Sequence, residues 1–228
     1  MNREHIRARI EEIGIIPGVR VSNPDYARYA AETLHHAGIP IVEITMTVPE
    51  GTHVISDIAK TFPHMIVGGG TVLDKVTALR CLDAGAKFLT SPGLVMEVVE
   101  TALEHNVVVF PGALTPSEVI AAWKTGADFV KVFPCASVGG HHYIRSLKVP
   151  LPQIPLIAAG GVNQHSAANF ILAGASALGI GNELIPQEAL QHKQQEQIQE
   201  LSRRFLHIVK SARAEMASAK NAGEDQLH

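Results

Sequence analysis

A chain of 228 residues that is 46% apolar and 18% charged, with a formal net charge of −3, has the composition of a globular protein. There is no basic stripe for nucleic acid, no acidic tail, and no apolar run of the roughly 18 residues that a membrane span requires. Residues 1–7 are charged and lack the apolar centre of a signal peptide. Cys81 and Cys135 are the only cysteines and have no metal-type spacing, so a reduced, cytoplasmic protein without a metal or cofactor is expected.

Short β-branched runs alternate with helical patterns along the chain, at intervals of roughly two dozen residues. Strands are expected at 15–21, 40–45, 65–69, 88–91, 107–110, 129–133, 156–159 and 177–181. After the first, Asn23-Pro24 opens a helix with Tyr26, Tyr29, Ala30, Leu34 and Ala37 in phase. Gly68-Gly69-Gly70-Thr71 has the wrong spacing for a dinucleotide or phosphate loop and reads as a tight strand-to-helix exit. Residues 74–84 form a helix closed by Gly85, and Thr115-Pro116 opens another with Thr115 as N-cap. Residues 166–172 form a further helix closed by Gly174. Beyond Pro186 the pattern is one long helix, with Ile198, Leu201, Phe205 and Ile208 as its packing stripe. The adjacent pairs His35-His36 and His141-His142 match no ligand motif and read as surface residues whose side chains point apart.

Eight strand–helix units point to a (β/α)8 TIM barrel spanning 1–228 as a single domain, with an N-terminal helix and a long C-terminal helix. A doubly wound sheet is the alternative. No GxGxxG opens the first helix, and the strands are spread evenly to the end, as closure requires.

In a barrel, chemistry gathers at the C-terminal ends of the strands. Those ends carry Arg20, Glu43 with Thr45 and Thr47, Thr71, Ser91-Pro92-Gly93, Pro111-Gly112, Lys131 with Phe133, Gly160-Gly161, and Gly181-Asn182. Lys131 is a lone cation in an apolar strand. Burying an unpaired ammonium costs several kcal/mol, and an amine in that setting is a nucleophile for carbonyls; a strand-end lysine reaching out to solvent is the alternative. Strand alternation sends Ile41, Glu43 and Thr45 to one face, and Phe129, Lys131 and Phe133 likewise. If Val42, Ile44, Val130 and Val132 face the helices, Glu43 and Lys131 both point inward, which suits Schiff-base chemistry; a structural ion pair is the alternative. Gly160, Gly161, Gly181 and Asn182 follow the last two strands, where barrels bind phosphate through backbone N–H groups, although plain tight turns would look the same.

Seven segments carry a resemblance. They are Val42-Glu43-Ile44-Thr45, Gly68-Gly69-Gly70-Thr71-Val72, Ser91-Pro92-Gly93, Pro111-Gly112, Val130-Lys131-Val132-Phe133-Pro134, Gly160-Gly161-Val162 and Gly179-Ile180-Gly181. In this order, over residues 15–186, the chain resembles the 2-keto-3-deoxy-6-phosphogluconate (KDPG) / 4-hydroxy-2-oxoglutarate (KHG) aldolase family. The resemblance implies a class I, metal-free aldolase, commonly a homotrimer, that cleaves 2-keto-4-hydroxy acids to pyruvate and an aldehyde. By position, Lys131 resembles the Schiff-base lysine and Glu43 the proton-transfer residue. Thr71 and Pro92 would line the pyruvyl end, with Phe133 beside the imine.

Many members have an arginine shortly after the second-strand threonine, where Thr47 stands here. Another branch looks like Thr47-Val48-Pro49 there and has its arginine on the first strand, which assigns the substrate carboxylate to Arg20. Two positions depart from the family pattern. Ala159 replaces the threonine before the glycine pair, and Asn182, followed by Glu183, replaces the phosphate-binding serine. The implied substrate is 2-keto-3-deoxy-6-phosphogluconate. The alternatives are a 4-hydroxy-2-oxoglutarate aldolase or oxaloacetate decarboxylase, a barrel isomerase or phosphate-ester enzyme with Lys131 acting electrostatically, and a catalytically dead keto-acid-binding barrel.

Overall fold

All eight expected strand positions are filled, and every neighbouring pair runs parallel. The computed structural model describes residues 1–224. The strands are β1 (Ile15–Val19), β2 (Ile41–Thr45), β3 (Ile66–Gly70), β4 (Phe88–Thr90), β5 (Val108–Phe110), β6 (Gly112–Ala113), β7 (Val130–Val132), β8 (Leu156–Ala159) and β9 (Ala175–Ile180). The fifth position is split, because β5 and β6 flank Pro111, which has no N–H to give a ladder. The first half pairs with β4 and the second with β7. The sheet order β5-β4-β3-β2-β1-β9-β8-β7-β6 therefore starts and ends on one stretch of chain, and the barrel closes there. The seam is sewn by Asp128 N–H to Val109 O at 3.0 Å and Lys131 N–H to Pro111 O at 2.9 Å. The Asp128 carboxylate accepts from Val109 N–H at 2.9 Å and from Arg3 at 2.9 Å, which ties the N-terminal helix to the same seam.

The helices are α1 (Arg3–Ile13), α2 (Pro24–His36), α3 (Gly51–Thr61), α4 (Lys75–Asp83), α5 (Met96–Glu104), α6 (Pro116–Lys124), α7 (His141–Lys148), α8 (Ala167–Leu172), α9 (Gln187–Gln191) and α10 (Gln195–Glu224). Their starts follow the expected chemistry. Thr115 and Glu118 form a complete capping box on α6, and Asp74 caps α4 through the Thr77 N–H. Among the described residues no helix is long and apolar enough to cross a membrane.

Side-chain alternation divides each strand between two apolar clusters. Val42, Ile44, Val130 and Val132 pack outward under the helices, as expected. Ile16, Ile41, Ile66, Phe88, Phe110, Phe129, Ile157 and Ala177 point inward and fill the lower barrel, with Ile6 and Ile10 of α1 packed against them as a plug. The α1 helix ends at Gly14, with φ 70°, where a Cβ would stand 2.5 Å from the Arg213 guanidinium. That guanidinium caps the last carbonyls of α1, Glu11 and Glu12, and also reaches Ser176 O at 2.9 Å.

Three sequence expectations are corrected. The helix after Pro186 is two helices: Lys193 takes φ 49°, and Lys193 N–H to Leu190 O with Gln194 N–H to Ala189 O closes α9 in a Schellman motif. The buried stripe of α10 is Ile198, Ser202, Phe205, Val209 and Ala212, with Leu201 and Ile208 only half-buried beside it. Ser202 tolerates the core because its hydroxyl donates to Ile198 O at 2.7 Å. The rings of His141 and His142 do not point apart, since their centroids are 4.1 Å apart in the first turn of α7. Burial, with His142 and Arg145 nearby, pushes the His141 imidazole below its ordinary range.

Candidate active site

Two residues above the inward apolar layer, the same strands carry Gly18, Glu43, Gly68, Thr90, Gly112, Lys131, Ala159 and Gly179. Only Glu43 and Lys131 among these are long, and both point into the barrel. Lys131 Nζ lies 3.9 Å from Glu43 Oε2, with side chains 13% and 8% exposed. That separation exceeds a hydrogen bond, so Glu43 leaves the nitrogen open to a third atom approaching from the cavity. Just past the end of β7, two residues beyond Lys131, Phe133 sets its ring 5.7 Å from the amine.

The small residues make the room. A cavity of about 330 Å³ opens at the C-terminal mouth, lined by Ile16, Gly18, Arg20, Glu43, Thr45, Lys131, Phe133, Ala159 and the segments 160–162 and 179–183. Gly18 and Gly179 belong to it directly. The Gly68-Gly69-Gly70 run is not the expected tight exit, because all three residues are in β3. A Cβ on Gly70 would stand 2.0 Å from Glu43 Oε1, one on Gly69 2.8 Å from Cys81 Sγ, and one on Gly68 2.2 Å from the Phe88 ring. Each glycine clears a neighbour on another strand or helix, and Gly70 clears the candidate acid itself. Sequence reasoning missed these emptied positions.

Arg20 is exposed, and its guanidinium donates to Thr47 Oγ at 2.9 Å and Thr71 Oγ at 3.1 Å. The segment after the first strand thus delivers a cation to the hydroxyls that follow the second and third strands. Thr71 takes φ 55°, a region that β-branched residues avoid, and stands beside the cavity through its bond to Arg20. Pro92 is exposed on the loop after β4, with its carbonyl against Gly112, and is not part of the cavity wall.

At the opposite side, Gly160 and Gly161 both take φ 85°. A Cβ on Gly161 would stand 2.3 Å from Ala136 Cβ, so only glycine lets this loop tuck under the one after β7. Cys135 N–H to Ala159 O at 2.9 Å and Ala136 N–H to Gly160 O at 3.0 Å hold the two loops together. Among the described residues no acceptor meets the N–H groups of Gly161, Val162 or Asn182. Three free donors at one rim suit an anion. Glu183 lines the same rim, exposed and without an ion-pair partner among the described residues.

Cys135 is no rival nucleophile: burial pushes its thiol up to about 11. Among the described residues no group of three or more His, Cys, Asp or Glu is placed to hold a metal ion.

A buried amine beside a carboxylate, an arginine at one end of the cavity and free N–H groups at the other form a site for an acid with a carbonyl next to its carboxylate. Comparisons with known proteins place the whole chain. The family profile described as KDPG and KHG aldolase matches residues 6–201. A 2-dehydro-3-deoxy-phosphogluconate aldolase of Pseudomonas aeruginosa is 29% identical over 209 residues, 90% of this chain and 95% of that one. A 2-dehydro-3-deoxy-6-phosphogalactonate aldolase of Escherichia coli is 32% identical over 182 residues, 78% of this chain and 86% of that one. The crystal structure of a KDPG aldolase from Legionella pneumophila, with pyruvate captured as a covalent carbinolamine, matches with a TM-score of 0.79. That match covers 86% of this chain and 95% of the other, at 26% identity. The fold, the inward Lys131–Glu43 pair and these matches lead to one conclusion: the chain belongs to the KDPG and KHG aldolase family and is an aldolase, a lyase of carbon–carbon bonds.

Proposed function

We propose that the protein cleaves a 2-keto-4-hydroxy acid through an imine on Lys131, with 2-keto-3-deoxy-6-phosphogluconate as the substrate. The observation that carries this reading is the amine 3.9 Å from a buried carboxylate, inside a cavity that small residues have emptied. Lys131 passes a proton to Glu43, and the freed Nζ adds to C2 of the keto acid while Arg20 holds the adjoining carboxylate. Glu43 gives a proton to the departing hydroxyl, and loss of water leaves a protonated imine. Glu43, now a carboxylate, takes the C4 hydroxyl proton. The C3–C4 electrons flow into the imine, and the aldehyde departs. The enamine is protonated at C3 by the same acid, and water releases pyruvate and the free amine. Phe133 covers one side of the imine, and the free N–H groups of Gly161, Val162 and Asn182 receive the far phosphate.

Reduction with borohydride in the presence of pyruvate tests the central step. The expected product is one pyruvyl adduct, mapped by mass spectrometry to Lys131. Labelling of another lysine, or none, overturns the assignment.

One observation favours a second substrate, 4-hydroxy-2-oxoglutarate. Asn182 and the acidic Glu183 occupy the rim where the far group sits, and a singly charged carboxylate is repelled less there than a phosphate dianion. Residues 1–228 act as one barrel domain in a homotrimer on this reading. Exposed Leu73 and Val76 at the start of α4 and Met96 at the start of α5 supply apolar area for contact between copies. Light scattering reads the assembly.

A further inference from the structure

The cation at the mouth is held by hydroxyls that no step of the chemistry above requires. Thr45 lies two residues beyond Glu43 on the same face of β2 and is buried. Its hydroxyl donates to Val19 O on β1 at 3.0 Å. A hydroxyl carries one proton, and Thr45 has committed its own there. In the 2.8 Å contact between the Thr45 and Thr47 hydroxyls, Thr47 is therefore the donor. What Thr47 then offers Arg20 Nη1, at 2.9 Å, is a lone pair. Every bond in the chain has a fixed direction, from Arg20 through Thr47 and Thr45 to the backbone of β1.

The character of the support matters as much as its geometry. Arginine side chains carry about 2 kcal/mol of rotamer entropy, so an exposed guanidinium does not hold one direction unaided. A carboxylate partner would hold it equally well but would cancel its charge. Here both partners, Thr47 and Thr71, are neutral, and among the described residues Arg20 makes no ion pair. Thr71 reaches its place in a backbone conformation unfavourable to its residue type, at φ 55°.

We propose that Thr45 and Thr47 are positioning residues that aim Arg20 at the substrate carboxylate while leaving its full charge available. This rests on Arg20 as the carboxylate ligand, and the test separates the two. The readouts are the pyruvate concentration that half-saturates borohydride trapping and the trapping rate at saturation. Thr47→Val keeps the shape and removes the acceptor. Half-saturation should rise about 10-fold, as for loss of one hydrogen bond to a charged group, with the saturated rate retained. Thr47→Ser should restore the wild-type value. Arg20→Ala should raise half-saturation roughly 10- to 100-fold. Adding Thr47→Val in that background should change nothing further, because the two act through one group. A Thr47→Val effect that persists undiminished without Arg20, or no effect beside a strong Arg20→Ala effect, overturns the positioning role alone. An Arg20→Ala variant with unchanged half-saturation overturns the carboxylate reading and the positioning role with it.

Discussion

Two layers of the same barrel, roughly 7 Å apart along each strand, are built on opposite rules. The lower layer is bulk: Ile16, Ile41, Ile66, Phe88, Phe110, Phe129 and Ile157, sealed by Ile6 and Ile10. Each such buried side chain stabilises the fold by about 1.5–3 kcal/mol. The upper layer gives that up. On the β8, β9 and β1 side it has Ala159, Gly179 and Gly18, and the vacated space is the cavity. On the other side the glycines are filled by neighbours: Gly68 by the Phe88 ring, Gly70 by Glu43 and Gly112 by the Pro92 carbonyl. The floor supplies rigidity, and the mouth uses it to hold one acid and one amine where packing alone would not place them.

The largest effect that can test this division comes from Glu43→Gln. The amide keeps the shape and cannot carry the proton. kcat/KM should fall by about 10²–10⁴, the usual worth of a positioned acid–base group, while pyruvate still traps slowly on Lys131. Near-wild-type turnover would reduce Glu43 to a structural partner of Lys131, and the mouth would then be chemically simpler than its geometry.

A matched pair of substitutions addresses the layers directly. Phe129→Ala in the floor should cost about 3–5 kcal/mol in denaturant unfolding, with trapping per folded molecule unchanged. Gly18→Ala in the mouth should do the reverse. Its Cβ would meet nothing closer than Ile180 O at 4.0 Å, so the fold should keep its unfolding midpoint. The added methyl enters the cavity, and kcat/KM should drop about 10-fold if it displaces substrate by the volume of one methylene. An unfolding midpoint lowered by Gly18→Ala, or turnover per folded molecule lowered by Phe129→Ala, would break the separation between the layers.

Much of this division was legible in the sequence because a strand has a period of two. Val42 and Ile44 outward place Glu43 inward, and Val130 and Val132 do the same for Lys131. The glycines of β3 were illegible for the same reason. A residue without a side chain leaves no mark in the alternation, and the neighbours it admits, Phe88, Cys81 and Glu43, are distant in sequence. The bond from Arg20 to Thr47 spans 27 positions and depends on rotamers that no local pattern records. The break before α10 escaped because Lys193 stands in the left-handed position where glycine usually announces a helix end. The α10 stripe was misplaced because Ser202, polar in the sequence, returns its proton to its own helix and behaves as core.

The smallest expected effect lies at the rim and concerns which substrate the mouth prefers. Glu183 is exposed, so its field on a bound anion is weakened by water, and at 4 Å it is worth about 1 kcal/mol per unit charge. A phosphate dianion feels roughly twice the repulsion of a carboxylate. Glu183→Gln should therefore raise kcat/KM more for 2-keto-3-deoxy-6-phosphogluconate than for 4-hydroxy-2-oxoglutarate. The ratio of the two should shift by about fivefold or less, and the shift should shrink as salt is raised. An unchanged ratio would mean that the carboxylate points away from the far end of the substrate, leaving the free N–H groups of Gly161, Val162 and Asn182 unopposed. A wild-type preference for the phosphorylated substrate of about 10⁴ would exceed what that rim can give with Glu183 facing in, and would remove 4-hydroxy-2-oxoglutarate as a second substrate.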